Sequence, residues 1–329
     1  MSRNNVQPAT ANETTRMMSG RVAVIGSSGQ IGALVTDQLV AQGMAVRAIS
    51  RSTTQTRDDA GVEQKTIHAY TREELGRALA GCTHVISTLG LPYNARIWQR
   101  EWPSMMDELL NACHMNSLPL TVLDNMYVYG RAASPITEDS NLAPCSRKGE
   151  ARLEGWRRMH AFQQRGMDVV VCRAADFIGP GAETTILPWS GIAAVLHSGH
   201  GALRWLGDPG FMHSFSNTVD IAGALVDVCA RSEMRRHDVI HLPAVDAFSG
   251  HEFQDRLSRV AGRGITLHAT PSRLVRLAGI FSGPAREQSE MMYQVERDYV
   301  VSDARYRELT PQSPHRSILG CLEQWAQMA

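Results

Sequence analysis

Seven residues, Gly26-Ser27-Ser28-Gly29-Gln30-Ile31-Gly32, carry the spacing Gly-x-x-Gly-x-x-Gly between an apolar run, Arg21–Ile25, and a helical pattern, Gln30–Gln42. In a strand–turn–helix setting the three glycines serve different ends. One permits the tight turn, one lets backbone approach a pyrophosphate, and one lets helix and sheet pack closely. The amides at the helix start, with the helix dipole, attract phosphate. Gly26, Ser28, Gly29, Gln30, Ile31 and Gly32 therefore read as a dinucleotide cradle. About 20 residues past such a loop an NAD-preferring domain places an acid on the ribose 2′-hydroxyl. Here the second apolar run ends Ile49-Ser50-Arg51-Ser52, with no acid at its tip. Arg51, with Ser52 beside it, could instead hold a 2′-phosphate through charge-assisted hydrogen bonds. The expected cofactor is NADP(H) in preference to NAD(H), with Thr88, Leu89 and Gly90 completing the binding set.

A second group of residues could move protons. On a strand over Leu118–Tyr129, alternate side chains share a face, so Asn125, Tyr127 and Tyr129 would project together. Asn125 can donate a hydrogen bond to a carbonyl oxygen. Lys148 and Arg152 are one helical turn apart, and a lysine desolvated beside an arginine and a bound cofactor has a lowered pKa and can act as an acid. Tyr127 is the other candidate acid. Equally, Lys148 and Arg152 could serve only to bind ribose and phosphate, and Tyr127 could be a core tyrosine.

The elements that must position these residues follow from periodicity. Strands are expected at Arg21–Ile25, Ala45–Ser50, Gln64–Ala69, His84–Thr88, Leu118–Tyr129, Asp168–Arg173 and Asp238–Leu242. Helices are expected near Gln30–Gln42, Arg72–Ala80 (opened by Thr71), Arg96–Met115, Glu150–Gln164 and Val219–Ala230. Strand–helix alternation of this kind predicts an α/β fold: a Rossmann-type, doubly wound parallel sheet with a smaller, mostly helical C-terminal lobe for substrate. The expected division is a disordered leader at 1–20, a dinucleotide domain at 21–180 plus 213–245, and a substrate lobe at 181–212 and 246–329.

Lys plus Arg and Asp plus Glu both total 33, so no net field draws the chain to nucleic acid or an anionic membrane. No run of about 18 apolar residues is present to span a bilayer. The six cysteines are scattered without Cys-x-x-Cys spacing, which argues against a disulfide framework or zinc site and for the cytoplasm. His251-Glu252 lacks the second histidine of a zinc-binding helix, so no metal is expected. Trp98, Trp102, Trp189 and Trp205, with Met105, Met106, Phe211 and Met212, suggest a largely apolar substrate pocket. His213 reads either as a substrate contact or as a buried, satisfied histidine.

Together the glycine loop, Tyr129-Gly130, Pro135-Ile-Thr-Glu138-Asp139, Arg173-Ala-Ala-Asp-Phe-Ile-Gly179-Pro180 and His213-Ser-Phe-Ser-Asn-Thr-Val-Asp220 resemble the extended and atypical short-chain dehydrogenase/reductases, from about Arg21 to the C-terminus. That family works with an upstream Ser or Thr and a Tyr-x-x-x-Lys pair. Here Asn125 stands at the Ser position, Lys148 at the Tyr position and Arg152 at the Lys position. The resemblance implies an NADPH-dependent reductase of a carbonyl, or related unsaturated bond, on a small and fairly apolar metabolite, with the proton from Lys148 or Tyr127. It also admits an epimerase or dehydratase that uses bound cofactor transiently; the missing tyrosine admits a non-catalytic NADP(H) sensor. Dimerisation through the helices around Arg96–Met115 and Glu150–Gln164 is a further implication.

Overall fold

In a strand covered on both faces, neighbouring side chains feed two separate cores. The first strand does this: Val22 and Val24 enter one cluster, while Ala23 and Ile25 enter the other. All four are fully buried. Each large apolar side chain removed from water in this way contributes roughly 1.5–3 kcal/mol, so the sheet is set by its own apolar runs.

The computed structural model describes residues 20–51, 61–198, 202–313 and 315–328. The leader expected at 1–20 lies outside these residues except for Gly20, and so does Ser52. In chain order come β1 (Arg21–Ile25), α1 (Gln30–Ala41), β2 (Ala45–Ser50), β3 (Val62–Thr66), α2 (Arg72–Leu79) and β4 (His84–Ser87). Next are α3 (Ala95–Met115), β5 (Leu120–Asn125), α4 (Arg147–Gln163), β6 (Val169–Ala174), β7 (Asp176–Ile178), α5 (Trp189–Ser198) and β8 (Ala202–Leu206). Last are β9 (Phe215–Asn217), α6 (Thr218–Ala230), β10 (Val239–His241), α7 (Gly250–Val260), β11 (Thr266–Thr270), α8 (Ser272–Phe281), α9 (Gly283–Ser289), α10 (Ala304–Leu309) and α11 (Ile318–Met328).

The main sheet has seven strands in the order β10-β6-β5-β4-β1-β2-β3, and every neighbouring pair is parallel. This is the doubly wound arrangement expected from the alternation. The winding reverses between β1 and β4, and ligands of such sheets bind outside the carboxyl ends of the strands at that reversal. Apolar residues of α2, α3 and α4 cover one face, and those of α1 and α6 cover the other. A third core, built around Trp205, Phe248, Phe253 and Trp325, holds the mostly helical C-terminal part. Two small parallel sheets, β8 with β11 and β7 with β9, are additions that the alternation does not predict. Tyr306 of α10 packs into the core beside α1 and α6, so a piece of the expected C-terminal lobe belongs with the large sheet.

Two boundaries differ in ways that matter for chemistry. The fifth strand stops at Asn125, because the Asn125 side chain accepts a hydrogen bond from the Tyr127 amide (3.1 Å) and starts a 3-10 turn over Met126–Tyr129. Asn125, Tyr127 and Tyr129 therefore do not share a strand face. The fourth helix begins at Arg147 rather than near Glu150, with Ser146 Oγ accepting from the Gly149 amide (3.1 Å). That places Lys148 in the first turn.

Candidate active site

The glycine loop is built as a bare helix start. Gly26 has φ +84° and its amide and that of Ser27 both donate to the Ile49 carbonyl, at 2.9 and 3.2 Å. The loop is thereby tied to the end of β2, and Arg51 is two residues beyond that tie. Gly29 caps α1 with no side-chain hydrogen bond, and no acid occupies the first turn. First-turn amides without a side-chain cap suit an anion. A Cβ on Gly32 would stand 2.2 Å from the Gly26 carbonyl oxygen and 2.8 Å from Thr88 Oγ1, so only glycine fits. Thr88 buttresses the turn, donating to the carbonyls of Ile25 (3.1 Å) and Gly26 (3.3 Å). Gln30 Nε2 donates to the Pro180 carbonyl (2.8 Å), closing the loop against the segment after β7. Arg51 is exposed at the tip of β2, its guanidinium 5.1 Å from the Tyr70 ring centre.

Beside this loop lies a cavity of about 470 Å³. Its wall brings together Gly29, Gln30, Ile31, Thr88, Leu89 and Gly90 with Asn125, Tyr127 and Arg152. A second cavity, about 670 Å³, lies toward the C-terminal part and is largely apolar, with Arg204 among its polar residues. Tyr93, Tyr127, Asp176, Glu183 and Thr184 line both cavities.

Within this setting Arg152 and Lys148 part company. Arg152 Nη1 donates to Asp124 Oδ1 at 3.0 Å, and its guanidinium lies over Trp102 (3.6 Å) and Trp98 (4.4 Å). Lys148, 0% exposed, turns to α9. Its Nζ lies 2.7 Å from both Glu287 Oε2 and Glu290 Oε1, donates to the Glu287 carbonyl (2.9 Å) and sits 4.2 Å from the Tyr93 ring centre. The expected pairing of Lys148 with Arg152 beside the cofactor is not what the fold builds: two carboxylates hold the ammonium away from both cavities. Tyr127 is half-buried, and desolvation, followed by the negative charge of Asp176, pushes its phenol well above the ordinary value. Tyr129 faces the other way, into a buried chain with Arg173 and His241.

The tryptophan expectation is also revised. Trp98 borders the cavity beside the glycine loop, whereas Trp102, Met105 and Met106 lie in the core. Trp205 is in the C-terminal core and Trp189 packs edge-on against Trp325. The apolar lining comes instead from Leu206, Leu274, Val275, Met292 and Val295. Sequence reasoning passes over Tyr93, Asp124 and Asp176. Asp176 is within its reach, since it lies inside the segment Arg173–Pro180 that carries the family resemblance, but its link to His213 (2.8 Å) depends on β7 pairing with β9.

A family described as NAD(P)H-binding matches residues 26–135, from the first loop glycine past the end of β5. Among solved structures, a UDP-N-acetylglucosamine 4-epimerase from Bacillus cereus aligns at 15% identity with a TM-score of 0.72, over 94% of this chain and 99% of that one. A UDP-glucuronic acid 4-epimerase from Bacillus cereus, solved with UDP-glucuronic acid and NAD, aligns at 18% identity with TM-score 0.72, over 94% and 99%. A dTDP-glucose 4,6-dehydratase from Streptomyces venezuelae, with NAD and TYD bound, aligns at 18% identity with TM-score 0.72, over 93% and 96%. The chain shares its fold with these epimerases and this dehydratase. No curated protein matches the sequence. At these identities the likeness concerns the fold, and among the described residues no helix is long and apolar enough to cross a membrane.

Proposed function

We propose that the protein binds NAD(P)(H) along the glycine-loop cleft and exchanges hydride with a hydroxyl or carbonyl carbon of a small substrate in the adjoining cavity. The observation that carries this reading is the shared wall: Tyr93, Tyr127 and Asp176 line both cavities, so two ligands there would meet. The tight turn at Gly32, where a Cβ would strike the Gly26 carbonyl and Thr88 Oγ1, and the uncapped start of α1 fit a pyrophosphate-binding loop. Ser28, Gln30, Ile31 and Gly32 would receive the pyrophosphate on backbone amides, with Gly26 and Gly29, whose amides close the turn, shaping the loop, and Thr88, Leu89 and Gly90 beyond. Arg51 and Ser52 would take the 2′-phosphate of NADP(H). Arg152, locked on Asp124, would face the ribose, and Asn125 the substrate oxygen. Bound nicotinamide supplies or accepts the hydride; the chain supplies orientation and proton handling.

The neighbours named above favour reuse of the cofactor within one turnover, as in an epimerase or dehydratase. The apolar lining of the larger cavity favours a second reading, one-way reduction of an apolar carbonyl by NADPH. Two measurements separate them: nucleotide released from denatured purified protein, and turnover against nucleotide sugars and apolar ketones. Product without net NADPH oxidation marks the first reading, and stoichiometric NADPH oxidation marks the second. Binding with no turnover of any panel member would contradict both. Arg51→Ala should weaken NADP⁺ about 10- to 100-fold, the worth of one or two charge-assisted hydrogen bonds, and leave NAD⁺ unchanged; equal weakening of both would remove the 2′-phosphate assignment.

A further inference from the structure

Asp176 stands where the two cavities meet, and its carboxylate has one hydrogen-bond partner among the described residues. Its Oδ2 is 2.8 Å from His213 Nε2, with the Asp176 side chain 19% exposed and that of His213 3% exposed. Both residues are pinned. Asp176 is in register with Phe215 in the β7–β9 pair. The His213 backbone exchanges hydrogen bonds with Phe248 (3.0 and 3.1 Å), and its ring packs on Phe215 (4.9 Å) and Tyr299 (5.7 Å) between centres. His213 Nδ1 is buried with no hydrogen-bond partner among the described residues. The imidazole is therefore committed to Asp176 alone, while Asp176 Oδ1 takes no hydrogen bond from the described residues.

The other polar groups near the shared wall are less suited to moving a proton. Asn125 does not titrate, and its side-chain oxygen is occupied by the Tyr127 amide. Burial raises the phenols of Tyr93 and Tyr127, so neither offers a phenolate to take a proton in the oxidising direction. Glu183 uses both carboxylate oxygens on Ser190, at 3.1 Å to its amide and 2.8 Å to its hydroxyl. Lys148 is enclosed by Glu287 and Glu290.

We propose that Asp176 is the proton-transfer residue of this site and that His213 is a positioning residue that holds its carboxylate. This rests on the hydride-exchange reading above. In the reducing direction the carbonyl carbon gains hydride from the reduced nicotinamide cofactor, which is thereby oxidised. The C=O π pair moves to oxygen, that oxygen takes the proton of the Asp176 carboxyl, and solvent returns a proton to the Asp176–His213 pair. In the oxidising direction the substrate hydroxyl gives its proton to the Asp176 carboxylate while its carbon gives hydride to the oxidised cofactor.

The test uses the full chain with NADPH and the panel substrate that wild type turns over best. Asp176→Asn keeps the shape of the side chain. It should bind NADPH within about twofold of wild type by fluorescence titration and lose at least about 100-fold in turnover, the scale of general acid–base catalysis. Asp176→Ala should recover part of that loss with added formate, a response that a packing role would not give. His213→Asn should lose about tenfold with NADPH affinity kept. An Asp176→Asn protein that turns over like wild type would overturn Asp176 as the proton-transfer group and leave hydride exchange standing. Loss of NADPH affinity in that variant, or no formate rescue of Asp176→Ala, would make Asp176 a binding or structural residue and equally overturn the proposal. Wild type that fails to bind NADPH, or binds it without turning over any panel member, would overturn the underlying reading and this assignment with it.

Discussion

Lys148 and Arg152 lie one turn apart on the same helix, yet their partners come from opposite sides of it in the sequence. Arg152 meets Asp124, at the end of β5, while Lys148 meets Glu287 and Glu290, which are on and just after α9. An ammonium with three acceptors within 2.9 Å and no exposure is a clamp between α4 and α9. Removing it leaves two largely buried carboxylates with Arg147, at 3.2 Å from Glu290 and 4.0 Å from Glu287, as the nearby cation among the described residues, and with the Ala95 amide on Glu287 (2.7 Å). Breaking a buried pair by deleting one partner typically costs about 3–5 kcal/mol. Lys148→Met should therefore lower the urea-unfolding free energy by about 3 kcal/mol and keep NADPH affinity within a few-fold. Unchanged stability with abolished turnover would instead return Lys148 to the catalytic role that its sequence position suggests.

At the scale of elements, β5, β6 and β10 are joined at their carboxyl ends by a buried polar chain. Arg173 Nη1 donates to the Tyr129 hydroxyl (2.7 Å), Tyr129 is 2.8 Å from His241 Nε2, and His241 Nδ1 is 2.9 Å from the Ser302 carbonyl. A carbonyl only accepts, so Nδ1 carries the hydrogen and Nε2 receives the tyrosine proton. Protonating Nε2 would break this order. Burial accordingly lowers the His241 pKa to about 3, only partly opposed by the bond to Ser302. The folded value lies below the ordinary value of about 6.5, so the unfolded chain binds the extra proton first. This stability is fully present above pH ~6.5 and is lost toward pH ~3, with an upper slope of about 1.4 kcal/mol per pH unit. Urea unfolding from pH 7 to 5 should show that slope, and His241→Asn should flatten it by about one proton's worth; an unchanged slope would contradict the assignment. Elements of this kind are readable in the sequence wherever the signal is local. The glycine loop is encoded within seven residues, and most strands of the large sheet are apolar runs, the edge strand β3 (Val-Glu-Gln-Lys-Thr) excepted. The end of β5 escapes such a reading because a polar side chain, Asn125, caps its own turn, which a strand-alternation rule does not register. The Asp176–His213 link and the Lys148 clamp are not readable, because each needs contact between residues 37 and about 140 positions apart.

For the molecule as a whole, the cavity beside the glycine loop sits at the winding reversal of the large sheet, and the larger cavity is completed by α8 and the segment after α9. A ligand bound across that boundary links the large sheet to the C-terminal core, so binding energy would appear as added thermal stability by mass action. A dinucleotide on this loop would depend on the tight turn at Gly32, and the decisive measurement is a fluorescence titration of NADPH into wild type and Gly32→Ala, paired with urea unfolding of both. Saturable binding by wild type, with affinity reduced at least about 100-fold in a Gly32→Ala protein that still folds, is the result that follows from a Cβ placed 2.2 Å from the Gly26 carbonyl. No binding by wild type, or equal binding by the two proteins, would contradict a dinucleotide on this loop.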